Sequence, residues 1–437
     1  MININYSKSI PVRHDVDVFV AGGGPAGIAA AVTAARLGNK VFLAEAMGCL
    51  GGLGTAGGVP VFMQFTDGVN FLAAGIGKEI HDKNQELGRI GDAIKAEVLK
   101  EIYEDMMTQA GVEFTYFTNL IDVITDGKYV ETAVVASKSG IFGVKAKIFI
   151  DGTGDGDLAV MAGAAYEKGD EKGNMMAGTL CSLWTGIEWG RANSHLQEAN
   201  LELAFADNIF TDKDRHLPGM FKIGDATGGG NIGHAFGVDG TDEVSLTKAF
   251  IEQRKKHKEY ERYYKNYLTG FENMTLVSTS ALMGIRESRR IIGDYVLNLE
   301  DFKSRAVFDD EIGRYCYPVD IHESSPDEEA NRIFQEEFKT LRYKTGESYG
   351  IPYRVLTPKA IDNVLVAGRC VSTDRYIQGS IRVMPGCFIT GQAAGAAANI
   401  AVAKNTHVRG FCVKALQEKL KYIGGYLPDF KEMEEKS

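Results

Sequence analysis

The chain has 437 residues and a formal net charge of -10, from 48 basic and 58 acidic side chains. This acidic balance argues against a nucleic-acid-binding surface, which needs clustered basic residues. The composition, 44% hydrophobic and 24% charged, is typical of a folded globular protein, and the length favours two domains. We find neither a secretory signal nor an apolar run of membrane-spanning length, and therefore predict a cytoplasmic protein without a membrane partner.

The six cysteines carry no metal or disulfide signature. None of them forms a C-x-x-C pair, and a disulfide framework is not expected in a large cytoplasmic chain. We therefore predict no metal centre. The cysteines are Cys49, Cys181, Cys316, Cys370, Cys387 and Cys412.

The most informative stretch runs from Val16 to Gly52. A short apolar strand is followed by the pattern G-x-G-x-x-G and by an alanine-rich helix. The first glycine of this pattern allows a tight turn, the second lets the backbone approach a pyrophosphate, and the third allows close packing of helix and strand. The start of the helix then holds the phosphates. The predicted contacts are Gly22, Gly24, Pro25, Ala26 and Gly27.

An acidic residue closes the second predicted strand, Val41 to Ala44. Glu45 lies about 20 residues after the glycines, where a carboxylate accepts hydrogen bonds from ribose hydroxyls and disfavours the 2′-phosphate of NADP. These features predict a dinucleotide, with FAD and NAD both possible. The glycine pair Gly51-Gly52 follows, and this arrangement resembles the FAD-binding half of the glutathione-reductase-type flavoproteins. The resemblance favours FAD.

Three segments of the first half add to the predicted fold. Residues Asp92 to Ala110 form an amphipathic helix, with Asp92 as its N-cap and Gly111 as its stop. Alternating apolar and polar residues on both sides of Ser139-Gly140 predict a hairpin. The apolar run that ends at residue 150 leads into a loop of alternating glycine and aspartate, residues 151–157.

The nucleotide-binding patterns disappear from about residue 166 to residue 349, where a charged helix covers Thr247 to Tyr267. At Val364 a buried strand and a glycine turn return, and a small-residue helix is predicted from Ile389 to Ala403. We predict an α/β fold: a Rossmann-like FAD-binding domain with a parallel sheet plus β-meander, and an inserted α+β substrate or cap domain. The predicted bounds are 1–165, 166–350 and 351–437.

Four stretches together resemble the FAD-dependent oxidoreductases related to the glutathione-reductase type and, more distantly, the fumarate-reductase flavoprotein subunits. They are Val16–Gly52, Phe149–Gly163, Gly284–Leu297 and Ile351–Ala398. The resemblance implies that the start of the small-residue helix faces the flavin, where its partial positive charge stabilises the reduced form. The further FAD contacts that we predict are Glu45, Ala46, Gly52, Val123, Thr153, Gly154, Asp155, Gly368, Arg369, Gly391 and Gln392.

The resemblance also implies a histidine within residues 373–378, where this sequence reads TDRYIQ. Another residue must then handle the proton. Arg286 and Arg382 are candidates for binding a carboxylate or enolate, since a guanidinium offers paired donors. The candidates for proton transfer are Tyr353, Asp374, Tyr376 and His234. His234 lies in a glycine-rich loop, which either acts as a lid or leaves the histidine on the surface, and a surface position is the more common case for a lone loop histidine.

These features predict an FAD-dependent oxidoreductase that transfers a hydride between flavin N5 and a small polar substrate: an alcohol or sugar, a hydroxy acid, an amine or an activated alkene. A flavoprotein that passes electrons to a partner protein is one alternative. A non-redox dinucleotide-binding protein is the other. An electron-acceptor protein and a homo-oligomer are the partners that the sequence leaves open.

Overall fold

The computed structural model describes residues 4–88, 91–192, 197–215, 219–326 and 340–428, with residues 332 and 336. The strands are β1 Val12–Ala21, β2 Val41–Ala44, β3 Glu113–Thr115, β4 Asn119–Asp126, β5 Tyr129–Ser137, β6 Gly140–Asp151, β7 Tyr166–Lys168, β8 Ser182–Thr185, β9 Met220–Lys222, β10 Thr227–Gly230, β11 Thr275–Thr279, β12 Arg289–Ile291, β13 Glu311–Tyr315, β14 Tyr349–Pro352 and β15 Val364–Val366. The α-helices are α1 Pro25–Arg36, α2 Ile76–Gly88, α3 Ala96–Gln109, α4 Asp157–Met161, α5 Gln197–Ala206, α6 Glu243–Tyr267, α7 Leu299–Ser304, α8 Arg375–Ile381, α9 Met384–Ala403 and α10 Val413–Tyr422.

The main sheet has the order β3-β2-β1-β6-β5-β4 across the described residues, and β15 also pairs with β6. The strands β1, β2, β3 and β15 run parallel to their neighbours, whereas β4 and β5 return antiparallel. The long strand β6 carries both parts, because residues 140–145 pair with β5 and residues 149–151 pair with β15. The predicted fold class, a parallel sheet with a β-meander, is therefore confirmed.

Helices α1 and α9 cross in backbone contact. A Cβ atom on Gly391 would lie 2.2 Å from the carbonyl oxygen of Ala26, and one on Gly395 would lie 2.3 Å from that of Ala30. Glycine is required at such a crossing because any side chain would force the helices apart. The contact anchors the C-terminal part of the chain beside the loop that follows β1.

Helix α9 is long and apolar enough to cross a membrane, contrary to the expectation that no such run exists. Its residues from Met384 to Ala401 are nevertheless buried inside the protein, between α1 and the other elements of the core. A helix that is apolar on all sides is expected in the centre of a large core.

The segment between β7 and β14 contributes a second sheet with the order β11-β8-β10-β9 in the described residues. Its core contains Trp184, whose indole nitrogen donates to the Ser182 hydroxyl at 2.8 Å, and aromatic residues of α6. A Cβ on Gly229 of β10 would lie 2.3 Å from Cβ of Pro60. This second sheet therefore packs directly on the segment that follows the second glycine cluster.

Three helices begin elsewhere than the sequence predicted, and one of them, α6, begins at Glu243 rather than at Thr247. Helix α3 begins at Ala96 rather than near Asp92, because the backbone at residues 92–94 pairs with the extended segment at Val61, and Phe62 N–H donates to the Asp92 carbonyl at 2.8 Å. Helix α9 begins at Met384, five residues before the predicted start, with Pro385 in its first turn. Proline is well suited to that position.

We expect Gly391→Ala to destabilise the protein, because the added methyl group would meet the Ala26 carbonyl oxygen at 2.2 Å. The expected net loss is about 1–2 kcal/mol of unfolding free energy, after alanine's helix preference of about 1 kcal/mol. Urea denaturation measures it. The control is Gly190→Ala, where no described atom lies within 4 Å of the new Cβ and a change within about 0.5 kcal/mol is expected. Equal stabilities of the two variants would contradict the contact.

Candidate active site

The glycine loop after β1 is shaped by backbone contacts. Gly22 has a φ of +87°, and a Cβ there would lie 2.7 Å from the Gly152 carbonyl oxygen. A Cβ on Gly27 would lie 1.9 Å from the Gly22 carbonyl oxygen. The nearest atom to a Cβ on Gly24 is 3.8 Å away. The first and third glycines therefore form the turn and the packing contact, and the second leaves room for a ligand, as a dinucleotide loop requires.

Helix α1 starts directly at this loop, with Gly24 as its N-cap and Pro25 in its first turn. No side chain of the described residues caps this end. The N–H groups of its first turn are thus left for an external acceptor, and the helix dipole favours a negative one. A pyrophosphate meets both requirements.

Glu45 follows β2 and is held by backbone N–H groups. Its Oε2 accepts from Gly23 N–H at 2.6 Å, and its Oε1 accepts from Met47 N–H at 2.7 Å. Burial raises the pKa of this carboxyl, although the N–H groups of Met47, Gly23 and Ala46 act in the opposite direction. The carboxylate sits beside the glycine loop, where the ribose of a dinucleotide binds in this fold.

The second glycine cluster lies against the first. Gly51 and Gly52 have φ values of +102° and +51°, a conformation that favours glycine. Gly51 N–H donates to the Gly23 carbonyl at 2.8 Å, and a Cβ on Gly52 would lie 3.2 Å from Cα of Gly24. Backbone rather than side chains therefore lines the groove at these two glycine clusters, which suits the close approach of a cofactor.

The Gly/Asp loop after β6 is held by its own side chains. Asp151 accepts from Thr153 N–H at 3.0 Å, from the Thr153 hydroxyl at 2.7 Å and from Ala159 N–H at 2.9 Å. Complete burial raises the pKa of Asp151 to about 6. Arg369 donates to the Gly154 carbonyl at 2.9 Å and pairs with Asp155. Because these side chains bind one another, the loop offers mainly its backbone to a ligand.

The return segment reaches the start of α1 at Gly368. This residue has a φ of +83°, and a Cβ on it would lie 2.9 Å from Cβ of Ala26. Its N–H donates to the Thr390 hydroxyl at 3.0 Å. The turn after β15 thus lies beside the turn after β1, at the same carboxyl edge of the sheet, where ligands bind in open α/β folds.

The prediction that a helix starts at Gly391 and Gln392 is wrong, because the helix begins at Met384. Gly391 packs against Ala26, and Gln392 Oε1 accepts from Ile76 N–H at 2.7 Å, so both residues join α9 to other elements. The small side chains mark the face that crosses α1. The helix end available to a flavin is Met384 to Gly386, and a Cβ on Gly54 would lie 2.7 Å from Sδ of Met384.

The prediction for Val123 is also wrong. Val123 pairs with Ala133 in the meander, Ala133 pairs with Val144, and Val144 pairs with His14 near the start of β1. Val123 is therefore three strands away from β1 and at the opposite end of it from the glycine loop. Thr118 takes the place near the ribose site, since its N–H donates to the Glu45 carbonyl at 2.9 Å.

Arg286 and Arg382 lie in one buried polar cluster. Arg286 donates to the Ala177 carbonyl and to the Thr179 hydroxyl, both at 2.8 Å. Burial and the nearby charge of Arg382 lower the pKa of Arg286 to about 10. Arg382 donates to Asp320 Oδ2 at 3.0 Å. Asp320 is thus the counter-charge that the two guanidinium groups share.

Asp320 also lines a cavity of about 450 Å³. Partial burial alone would raise the pKa of this carboxyl, but His322 and the two arginines hold it well below its usual range. The cavity wall is mixed in character. Its polar residues are Gln64, Asp92, Tyr317, Asp320 and Arg342, and its apolar residues are Val61, Phe62, Met63, Phe221, Pro318 and Val319.

Two predicted proton-transfer residues have structural roles instead. Asp374 is the N-cap of α8, where its carboxylate accepts from Ile377 N–H and from Leu299 N–H, both at 2.8 Å. Tyr353 is buried, and its hydroxyl donates to the Val408 carbonyl at 2.7 Å. Neither side chain lines the cavity, and these contacts do not support a catalytic role, which stays a prediction. Tyr376 lies in α8 with 36% of its surface exposed, and its role stays a prediction.

His234 is not part of an exposed lid, because it is completely buried. Its Nδ1 lies 3.1 Å from Asp214 Oδ1, and its Nε2 lies 3.0 Å from His322 Nδ1. Sequence analysis missed Asp320 and His322. The signal that could have found them is the run YPVDIHE at residues 317–323, where charged residues follow a proline directly after a strand.

We expect Glu45→Ala to weaken FAD binding about 10- to 100-fold, because a charged acceptor near the ribose site and for two backbone N–H groups is lost. Fluorescence titration of the apoprotein with FAD measures the change. The control is Glu97→Ala, since the Glu97 side chain is 85% exposed and pairs with Lys100 on the surface. Unchanged FAD affinity in both variants would show that Glu45 does not contact the ribose.

Comparison with known proteins places the chain in a family. The family of FAD-dependent oxidoreductases matches residues 17–420. No curated protein matches the sequence. The solved structures that resemble it include a flavin-dependent brominase (14% identity, TM-score 0.47, covering 94% of this chain and 83% of that one) and a geranylgeranyl bacteriochlorophyll reductase-like protein of Thermoplasma acidophilum (13%, 0.45, 94% and 83%). The chain belongs to the FAD-dependent oxidoreductase family, and FAD is its cofactor.

Proposed function

We propose that this enzyme oxidises a small polar organic molecule, or reduces the corresponding product, in the cavity beside Asp320. The observation that carries the proposal is the state of Arg382. Its Nε is buried and has no hydrogen-bond partner among the described residues. Buried donors are normally satisfied, and an exception points to a ligand or a bound water.

The position of the cavity supports this role. Arg382 lies between α8 and α9, two residues before the helix end that faces the groove. Phe62 of the cavity wall packs near Phe388 of α9, with ring centroids 6.2 Å apart. Gly54, from the second glycine cluster, approaches Met384 at the start of the same helix. These contacts support a cavity beside the start of α9, the helix end that we expect to face the flavin.

The size and lining of the cavity indicate the substrate class. A volume of about 450 Å³ lies in the range for small-molecule sites. Asp92 and Asp320 accept hydrogen bonds, whereas Arg342 and Gln64 donate them. A substrate with both donors and acceptors fits this wall best, such as a hydroxy acid, an amino compound or a sugar.

The chain's own residues would bind and orient this substrate. FAD, when bound, supplies the two-electron chemistry by accepting or returning a hydride. Arg382 offers its unused donor to a carboxylate or carbonyl oxygen of the substrate, and Asp320 keeps the guanidinium in place. The second sheet, which packs on Pro60, would close the opposite side of the cavity and limit the entry of water.

Two experiments separate this proposal from the alternatives. Anaerobic mixing with hydroxy acids, amines and sugars should bleach the visible flavin absorbance for one substrate class. If no small molecule bleaches the flavin but a reduced carrier protein does, the chain is an electron-transfer flavoprotein. The non-redox hypothesis is inconsistent with membership in the oxidoreductase family.

We expect Arg382→Lys to retain FAD but to raise KM for the bleaching substrate by about 10- to 100-fold, because a lysine lacks the rigid fork with which a guanidinium bonds Asp320 through one nitrogen and the substrate through another. The charge stays in place, so Asp320 is not left unpaired. The control is Arg191→Lys, an exposed arginine that pairs with Glu188 and Glu272 on the surface. A wild-type KM in Arg382→Lys would remove Arg382 as the substrate anchor.

A further inference from the structure

Four buried or half-buried titratable groups form a chain. It runs from the cavity wall into the segment that carries the second sheet. His234 Nδ1 lies 3.1 Å from Asp214 Oδ1, His234 Nε2 lies 3.0 Å from His322 Nδ1, and His322 Nε2 lies 3.4 Å from Asp320 Oδ2. His234 is 0% exposed and His322 7%. Asp320, at 26% exposure, is the member that lines the cavity.

The hydrogen bonds of this chain determine how many protons it holds. The two imidazole rings have four nitrogen atoms. His234 Nδ1 faces Asp214 and His322 Nε2 faces Asp320, whereas His234 Nε2 and His322 Nδ1 face each other. When both carboxylates are ionised, all three contacts become hydrogen bonds only if the rings share three protons. Two neutral imidazoles carry two. The fully bonded His234–His322 pair is therefore singly charged.

The third proton resides at the cavity end. Burial lowers the pKa of His234, and Arg286 and Lys256 add to this effect, although Asp214 opposes it. His322 is adjacent to Asp320, whose carboxyl stays ionised. The contact between these two residues is also the longest of the three, at 3.4 Å, so it is the weakest position in the chain and the one at which a proton is gained or lost.

Other charged groups surround the chain and must be considered with it. Among the described residues, the titratable or charged groups near its members include Arg286, Arg382 and Tyr317 around Asp320, Lys256 beside the His234 carbonyl, and Asp212 and Tyr260 towards Asp214. The aspartates favour the first positive charge on the His234–His322 pair, whereas the arginines disfavour a second one. The His234–His322 pair therefore holds one exchangeable proton beyond the two of the neutral rings.

We propose that the His234–His322 pair stores the proton exchanged with the substrate, and that Asp320, the ionised member at the cavity wall, positions His322 for this exchange. The inference rests on the proposed function. In the oxidising direction the substrate loses a hydride from carbon, which FAD accepts, and a hydroxyl or amine proton, which the pair accepts. The pair passes from two ring protons to three, and it releases the third to solvent before the next turnover. Reduction reverses each transfer.

The proposal has a defined pH dependence. Only the two-proton pair can accept a proton, so the oxidation rate should rise with pH through the titration of the pair, and the reduction rate should fall. His322→Gln keeps a polar side chain but cannot carry the proton. We expect it to lower kcat at least about 100-fold with little change in KM, and to abolish this pH limb. His234→Gln changes a positioning residue and should shift the pH at which the rate changes.

The matched control is His257→Gln. His257 is also buried, and its Nδ1 bonds the Gln253 carbonyl at 2.7 Å in α6, outside the chain of four. It should leave the pH limb unchanged. Wild-type kcat and pH profile in both His322→Gln and His234→Gln would overturn the proposal.

Nitrogen NMR of histidine side chains in the full-length holoenzyme provides a readout that needs no substrate. The expected result is one shared titration of the His234 and His322 rings, with three ring protons below its midpoint and two above it. Independent titration of the two rings would overturn proton storage. If no substrate bleaches the flavin while the shared titration is present, the proposed function fails and the proton store stands.

Discussion

The backbone contact between α1 and α9 is the constraint on which the active site depends. Gly391 and Gly395 let α9 lie directly on the carbonyl groups of Ala26 and Ala30. This contact places the turn after β15 against the first turn of α1 and points the start of α9 at the groove. Glycine-rich turns that are far apart in the sequence therefore lie side by side, with few side chains between them.

The polar groups at the cavity form a second unit, supported by that framework. Arg382 comes from the segment between α8 and α9, Asp320 and His322 from the loop after β13, and His234 from the loop after β10. Buried charges are costly unless they are paired. Here cations and anions alternate along the cluster, which offsets that cost. The same contacts hold the segment that carries the second sheet against the part of the chain that contains the main sheet.

Three residues that were predicted to contact the substrate or the cofactor have partners within the protein. Asp374, Tyr353 and Gln392 have the residue types and the position near a motif that suggested chemistry. In the structure, Asp374 caps a helix, Tyr353 bonds a carbonyl, and Gln392 bonds the backbone of α2. A polar side chain satisfies a backbone group or a ligand according to which lies within reach, and sequence spacing does not measure that reach.

The resemblance to a flavoprotein family favoured FAD over NAD. The sequence by itself determined the glycine loop, the acid after β2 and the hairpin of the meander. These features arise from local patterns: glycines that allow close backbone approach, alternation along strands, and an acid at a set distance. Only the tertiary structure decided that α9 crosses α1 through Gly391, and that His234 and His322 form a chain that reaches the cavity at Asp320. These last residues lie in loops without periodic signal, and hydrogen bonds between them depend on how distant segments pack.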